Sequence, residues 1–158
     1  MLKLSKKTDY ALMAMTHLAG HGDKSSVSAR EIAGRYGIPV ELLAKVLQRL
    51  VQQGLLASHQ GIRGGYQLAR PSASISVAQV IEAIDGPLTL TACSETDGGC
   101  EQYEHCNVRH PLWRIKDRLR SALDACSIAE IAGETQEGSE PLEWRSARGA
   151  DSRSIGSH

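Results

Sequence analysis

A tight Gly-Ile-Pro turn at residues 37–39 joins two segments with helical periodicity, and it constrains the fold more than any other feature of the chain. Before the turn, Ser28 to Glu31 has the form of a capping box, which begins a short helix ending near Gly37. After it, residues 40–53 place apolar side chains on one face and polar ones on the other. This pattern predicts a helix-turn-helix, the alternative being a helical hairpin of a bundle.

The outer face of the second helix is rich in hydrogen-bonding side chains. A helix of this kind can enter the major groove of DNA and read base edges. We predict contacts to bases and backbone from Glu41, Lys45, Gln48 and Arg49. The predicted DNA-binding set also includes Ser28, Lys6 and Lys7, and the two lysines mainly contact phosphate.

A two-stranded hairpin follows the helix-turn-helix directly. Residues 55–59 and 66–69 have strand character, and the turn between them reads Q-G-I-R-G-G. A helix-turn-helix followed by such a hairpin predicts a winged helix. Arg63 lies among glycines at the tip, where a cation can approach a phosphate or a narrow minor groove, and Gln60 begins the same turn.

The remaining segments divide the chain into four regions. Residues 8–19 predict a first helix, and a second capping-box sequence at Ser76 begins a helix that ends at Gly86. We therefore expect a mainly α fold, with a winged-helix DNA-binding domain over residues 1–86 and a cysteine-rich loop over 87–111. A long helix and a short terminal helix follow over 112–133, and the polar tail 134–158 is predicted to be disordered.

The charge of the chain is divided between its two halves. Residues 1–70 contain ten Lys and Arg against four Asp and Glu, a net +6, which the remainder balances to zero. A basic half joined to an acidic half is expected where only the first meets phosphates. Chance segregation of solvated charges is the alternative.

The N-terminal residues are too polar for a signal peptide, and no apolar run is long enough to span a bilayer. We therefore expect a cytoplasmic protein with no membrane partner, whose thiols are reduced or metal-bound. Neither a Ser/His/Asp arrangement nor a phosphate-binding loop is present, so an enzyme is not predicted.

Cys93, Cys100 and Cys106 lie within fourteen residues, and His110 follows closely. Thiolates are soft ligands suited to zinc, copper(I) or iron–sulfur clusters, and one imidazole completes a set of four. The gaps between the cysteines are wider than a zinc knuckle, which favours an iron–sulfur cluster over a single ion. A zinc-stabilised regulator remains an alternative, and Cys126 is interpreted as a small buried hydrophobe.

The predicted long helix carries an apolar seam at a spacing near 3.5 residues. Its members are Leu112, Ile115, Leu119, Ala122 and Leu123. We interpret this seam as a dimer contact, because a symmetric homodimer reads the two half-sites of a palindromic operator.

Several segments together resemble the Rrf2 family of bacterial winged-helix regulators over about residues 1–133. They are L-S-K-K-T-D-Y-A-L, G-I-P-V-E-L-L-A-K-V-L-Q-R-L, R-G-G-Y-Q-L, I-S-V-A-Q-V-I-E-A-I-D-G-P and the three-cysteine loop. The runs D-G-P-L-T-L-T-A-C and H-C-N-V-R-H-P-L-W look most similar to the subgroup that regulates the SUF iron–sulfur assembly system.

The resemblance implies a set of cluster ligands. Cys93, Cys100 and Cys106 match the family's three cysteines, and His110 matches the fourth ligand of some members, although it stands one residue farther from Cys106. Asp9 matches an N-terminal acid that other members supply from the partner subunit. A histidine ligand implies a 2Fe-2S cluster and the acid a 4Fe-4S cluster.

The resemblance also implies a function. Gln60 replaces the family's wing arginine, a role that Arg63 then takes, and Ala44 replaces a discriminating acid on the recognition helix. We expect a homodimeric repressor of iron–sulfur assembly genes that senses cluster supply. The alternatives are a nitric-oxide or redox sensor and, from another class, an electron-transfer or cluster-carrier protein.

Overall fold

The structure, a computed structural model, describes residues 3–22, 24–91 and 100–136, with only the backbone for 134–136. Its helices are α1 (Lys6–Gly20), α2 (Ala29–Tyr36), α3 (Val40–Gln52), α4 (Val77–Asp85), α5 (Arg109–Ala125) and α6 (Ile128–Gln136). The strands β1 (Leu56–His59) and β2 (Gly65–Leu68) form one antiparallel sheet, and a 3₁₀ turn covers Ser72–Ser74. Cys93 and the predicted tail from residue 137 onward lie outside the described residues.

The core lies where α1, α3 and α4 pack against one another, with α6 closing one side against α1. Each helix contributes side chains at helical spacing to a single apolar cluster. Its largest fully buried members are Met15, Leu18, Ile32, Leu43, Leu47, Leu50, Ile75, Val80 and Ile128. This packing fixes the orientation of α3.

The turn between α2 and α3 confirms the predicted helix-turn-helix. Gly37 has the left-handed φ of 64° that ends α2 without steric strain. Ile38 then turns inward, 5% exposed, and its N–H donates to the carbonyl of Ala33 at 3.0 Å. Pro39 precedes the first residue of α3, where its missing N–H costs no helical hydrogen bond.

The wing is confirmed as a two-stranded hairpin, and the chain before α2 anchors it. Leu56 pairs with Leu68, and the N–H of Val27 donates to the Tyr66 carbonyl at 2.9 Å, with the reverse bond at 2.8 Å. A Cβ on Gly65 would lie 2.5 Å from the Val27 oxygen. Only glycine allows this close approach, so it joins the wing to the start of the helix-turn-helix.

The α5 helix begins at Arg109, earlier than the predicted start at residue 112. His110 and Pro111 therefore lie in its first turn, which tolerates proline because those N–H groups have no helical acceptor.

The terminal helix α6 continues to Gln136, beyond the predicted end at Gly133. Its start is capped reciprocally: the Ser127 N–H donates to Glu130 Oε2 at 2.6 Å, and the Glu130 N–H donates to Ser127 Oγ at 3.1 Å. These bonds hold the pKa of the Glu130 carboxyl below its usual range. The first residues of the predicted tail, 134–136, are thus helical.

Backbone hydrogen bonds attach the two C-terminal helices to the start of α4. The Val77 N–H donates to the Cys126 carbonyl at 2.9 Å, and the Ile128 N–H donates to the Ile75 carbonyl at 2.8 Å. Farther along α5, Arg120 forms two hydrogen bonds with the Glu82 carboxylate, at 2.8 and 3.3 Å. Across the described parts of the chain, no helix combines the length and the apolar character needed to cross a membrane.

A small polar cluster ties the start of α1 to the end of α4. Thr8 is fully buried, and its Oγ1 donates to Asp85 Oδ2 at 2.8 Å, while Ser5 donates to the same carboxylate from Oγ and from its N–H. Partial burial alone would raise the pKa of Asp85, but these hydrogen bonds and the charge of Lys7 outweigh it and lower the pKa.

We predict that Thr8→Val lowers the free energy of unfolding by about 1 to 2 kcal/mol, because valine fills the same volume without donating to Asp85. Thr16→Val is the control, since the Thr16 hydroxyl only bonds the Leu12 and Met13 carbonyls of its own helix, and about 0.5 kcal/mol or less is expected. Urea denaturation measures both changes. Equal losses would show that the Asp85 cluster has no special role.

Candidate nucleic-acid interface and metal centre

The α3 helix presents a polar face to solvent. Its apolar face is buried in the core, so the predicted DNA-contacting residues Glu41, Lys45 and Gln48 are exposed. Gln52, one turn after Gln48, extends the same exposed surface. This polar strip has both donors and acceptors, which direct reading of base edges requires.

A groove of about 410 Å³ separates this strip from the wing. Most of its lining can form hydrogen bonds, and its members are Gln48, Val51, Gln52, Ser58, His59, Gln60, Gly65 and Tyr66. The sequence predictions included Gln48 and Gln60 but missed Gln52, Ser58 and His59. Alternation along β1 could not have indicated that the adjacent residues 58 and 59 are both exposed, because it places neighbouring side chains on opposite faces.

The wing tip is fully solvent-exposed. Gln60 and Arg63 are both exposed, as the sequence predicts for DNA-contacting residues. The turn itself requires glycine at position 64, because a Cβ there would lie 2.5 Å from the His59 carbonyl oxygen. Ile62, between the two polar residues, is the most exposed large hydrophobic residue of the described chain, at 108%. An apolar side chain at this position suits a wedge against DNA, as minor-groove proteins use.

Arg49 is exposed but also contacts α4. Its Nε donates to the Ala83 carbonyl at 3.0 Å, so this side chain holds α3 against α4. Among the other predicted contacts, Lys6 and Lys7 are exposed on the first turn of α1. Ser28 caps α2, where its Oγ accepts from the Glu31 N–H at 3.1 Å.

The described part of the cysteine loop forms two successive turns before α5. The Tyr103 N–H donates to the Cys100 carbonyl and the His105 N–H to the Gln102 carbonyl, both at 3.0 Å. Cys100 and Cys106 are free thiols and half-buried. Two of the three predicted thiolate ligands therefore lie on a short, turned segment that leads directly into the helix.

Arg109 holds this segment against α5, a role that the sequence analysis missed. Its guanidinium lies 4.0 Å from the centre of the Tyr103 ring and 5.6 Å from that of Trp113. Nη1 also donates to the Tyr103 carbonyl at 3.1 Å. The guanidinium is attracted to both aromatic rings and so holds Tyr103 close to the start of α5. Arg109 thereby fixes the path of the chain from Cys106 into the helix.

The two candidates for a fourth ligand lie on different elements. His110 is exposed in the first turn of α5, with its ring 5.7 Å from that of Trp113. Asp9 lies on α1, where Lys6 approaches to 3.8 Å, and it lines an open groove of about 980 Å³. Within the described ranges, Cys100, Cys106 and His110 do not form a group of three converging ligand atoms.

The predicted dimer seam divides into two parts. No residue of α5 is fully buried, and Ile115 is 46% exposed, with Ala122 also exposed. Leu112 and Leu119 are half-buried. Leu123, by contrast, packs against the core of its own chain.

Comparisons with known proteins agree with this architecture. Residues 4–134 match the model of the Rrf2 family, described as iron-dependent transcriptional regulators. The HTH-type transcriptional regulator IscR of Xenorhabdus nematophila is 35% identical over 131 residues, which cover 82% of this chain and 79% of that protein.

Two solved structures share the fold. CymR, the global cysteine regulator of B. subtilis, gives a TM-score of 0.69 with 27% identity, over 84% of this chain and 98% of that one. T. potens IscR gives 0.67 with 29% identity, over 86% and 90%. With its winged helix and an almost full-length family match, the chain belongs to the Rrf2 family of transcriptional regulators and is not an enzyme.

Proposed function

We propose that the protein is a cytoplasmic homodimer that binds a palindromic operator and represses iron–sulfur assembly genes according to the state of an iron–sulfur cluster. The observation that carries the proposal is that one chain combines the exposed face of α3 and the wing with a thiol segment, Cys100 to Cys106, that leads directly into the solvent-exposed helix α5.

In this proposal the α3 strip contacts base edges, and the wing mainly contacts phosphates. Gln48 and Gln52 are suited to base edges in the major groove, since side-chain amides donate and accept at once. Glu41 and Lys45 complete the strip, and Lys6, Lys7 and Arg63 neutralise phosphates. Arg49 is exposed and stays in the predicted DNA-binding set, while its Nε donates to the Ala83 carbonyl and so also joins α3 to α4.

We expect Arg63→Ala to weaken operator binding and to reduce the slope of log K against log salt by about one unit, because one phosphate contact is lost. The measurement is a fluorescence anisotropy titration at several salt concentrations, with a duplex that the wild-type protein selects from a random pool. Arg118→Ala, an exposed arginine on α5, removes the same charge elsewhere and should leave the slope unchanged. An unchanged slope for Arg63→Ala would remove this residue from the interface.

The donor set of the loop suits a cluster. Cys93, Cys100 and Cys106 supply three soft thiolates, and His110 or Asp9 supplies the fourth ligand. When bound, the cluster supplies an iron centre that responds to iron, oxidants or nitric oxide. Arg109 and Tyr103 connect the loop to α5. A change in the order of residues 100–108 is therefore transmitted to the start of that helix.

We predict that the anaerobically purified protein contains iron and acid-labile sulfide, and that Cys100→Ala and Cys106→Ala lose both. Cys126→Ala should retain both, because Cys126 packs against the core beyond the far end of α5. Metal and sulfide analysis measures the content. A colourless, zinc-loaded wild-type protein would contradict the cluster.

The same preparations distinguish the fourth ligand. His110→Ala and Asp9→Ala are compared by Mössbauer spectroscopy, with His105→Ala as the control. A changed His110→Ala spectrum supports a histidine-ligated 2Fe-2S cluster. A changed Asp9→Ala spectrum supports a 4Fe-4S cluster and favours nitric oxide as the signal, and loss of operator binding on anaerobic addition of nitric oxide would then identify it.

The dimer proposal depends on the exposed side of α5. Ile115 and Ala122 lie on the part of the seam that faces away from the chain's own core, whereas Leu123 faces inward. Covering this face with a second copy would remove exposed apolar surface from water. It would also place two α3 helices in one particle, as a palindromic operator requires.

We expect Ile115→Glu to shift the protein from dimer to monomer, because it introduces a charge at the centre of the seam. Ser121→Glu introduces the same charge on the opposite, exposed side of α5 and should remain dimeric. Sedimentation velocity of the full-length protein measures both. Dimers in both variants would place the interface elsewhere.

A further inference from the structure

Three metal-ligating side chains converge far from the cysteine loop along the chain. They are His17 in the last turn of α1, His21 at the C-cap of α1, and Glu31 in the first turn of α2. One ligand atom of each lies within 4.8 Å of those of the other two. The histidines are four residues apart, which places both rings on one side of the helix, with centres separated by 4.2 Å.

The hydrogen bonds around the two histidines engage Nδ1 of each ring and leave Nε2 of each ring available to a ligand. His21 Nδ1 is 2.9 Å from the His17 carbonyl oxygen, so Nδ1 carries the proton and Nε2 keeps its lone pair. His17 Nδ1 is 3.1 Å from the Tyr36 hydroxyl. His17 Nε2 is buried and has no hydrogen-bond partner among the described residues. Metal-ligating histidines are held in this way by a second hydrogen bond on the other nitrogen.

The surroundings of His17 favour the neutral imidazole that a metal requires. Burial, the neighbouring His21 and the more distant Arg35 lower its pKa, against the opposing effect of Glu31. A buried nitrogen without a partner is costly in a folded protein, and a bound cation would remove that cost.

We propose that His17, His21 and Glu31 form a second metal site, separate from the cysteine loop, that takes a divalent cation of the zinc type. Two imidazoles and one carboxylate are a donor set that suits Zn²⁺, and a water completes the four ligands. Tetrahedral Zn²⁺ with ligand bonds of about 2 Å brings its ligand atoms to about 3.4 Å apart. The exposed side chains of His21 and Glu31 can close the remaining distance by small rotations.

A metal ion at this site would join the end of α1 to the start of α2. Glu31 belongs to the first helix of the helix-turn-helix, and the two histidines lie at the C-terminal end of α1, His17 within the helix and His21 at its cap. A shared ion would therefore fasten α2 to α1 close to residues 22–28, which connect them. The proposal does not depend on the iron–sulfur cluster or on the dimer.

The experiment uses the full-length chain with Cys93, Cys100 and Cys106 replaced by alanine, so that only nitrogen and oxygen ligands remain at the candidate sites. Zn²⁺ is titrated calorimetrically into this protein and into versions that also carry His21→Ala or Glu31→Gln. His59→Ala, an exposed histidine on β1, is the matched control. Circular dichroism checks that each variant is folded, which is expected for the His21, Glu31 and His59 replacements since those side chains are exposed.

We expect one equivalent of Zn²⁺ to bind, with at least a tenfold loss of affinity in His21→Ala and in Glu31→Gln and none in His59→Ala. Bound Co²⁺ should give ligand-field bands without thiolate charge transfer. In the protein with its natural cysteines and intact cluster, added Zn²⁺ should raise the melting temperature, and His21→Ala should abolish the rise. Equal affinity in His21→Ala and the parent, or no binding by the parent, would overturn the proposal.

Discussion

The complete burial of one side of α3 is the constraint on which the rest of the structure depends. Leu43, Leu47 and Leu50 are each fully buried where α3 packs against its neighbours, so the helix cannot rotate without exposing them. The polar side of α3 is thereby held toward solvent in one orientation. Arg49 adds a directional bond to the α4 backbone, which restricts sliding along the helix axis. A rigid reading surface follows from core packing alone.

The two C-terminal helices are joined to the rest of the chain by α6, whose Ile128 is buried in the shared core, and by polar contacts. The backbone bonds near Ser76 and Ser127 and the paired contact of Arg120 with Glu82 attach α5 and α6 to α4. Arg109 does the equivalent work at the other end of α5, where it stacks on Tyr103. Polar contacts of this kind are individually weak, so α5, which has no buried residue, is held less firmly than the helices that contribute to the core.

Local patterns in the sequence predicted much of the fold. The capping sequence at Ser76, the turn at Gly37 and the glycine-rich turn of the wing each depend on near neighbours, and each is confirmed. The features that were missed join residues far apart in sequence. Thr8 and Asp85 are separated by 77 positions, and no periodicity relates them. The start of α5 was placed three residues too late because residues 109–111 carry no apolar periodicity, although a first turn accepts proline.

The candidate sites divide in the same way. The exposed face of α3 follows from its periodicity. The bond from Arg49 to the Ala83 carbonyl joins two different helices, so periodicity could not predict it. The four-residue spacing of His17 and His21 was visible in the sequence, but only the fold brings Glu31 to them.

The close approaches at Gly64 and Gly65 limit how this surface can vary. Any side chain at either position would collide with a backbone carbonyl, that of His59 or that of Val27, and backbone cannot move aside as a flexible side chain can. Gly64 and Gly65 therefore cannot be replaced without moving the backbone. Gln60, Ile62 and Arg63, by contrast, are exposed to solvent at the wing tip. Variation in the sequence of this wing is therefore expected at those three tip positions and not at the two glycines.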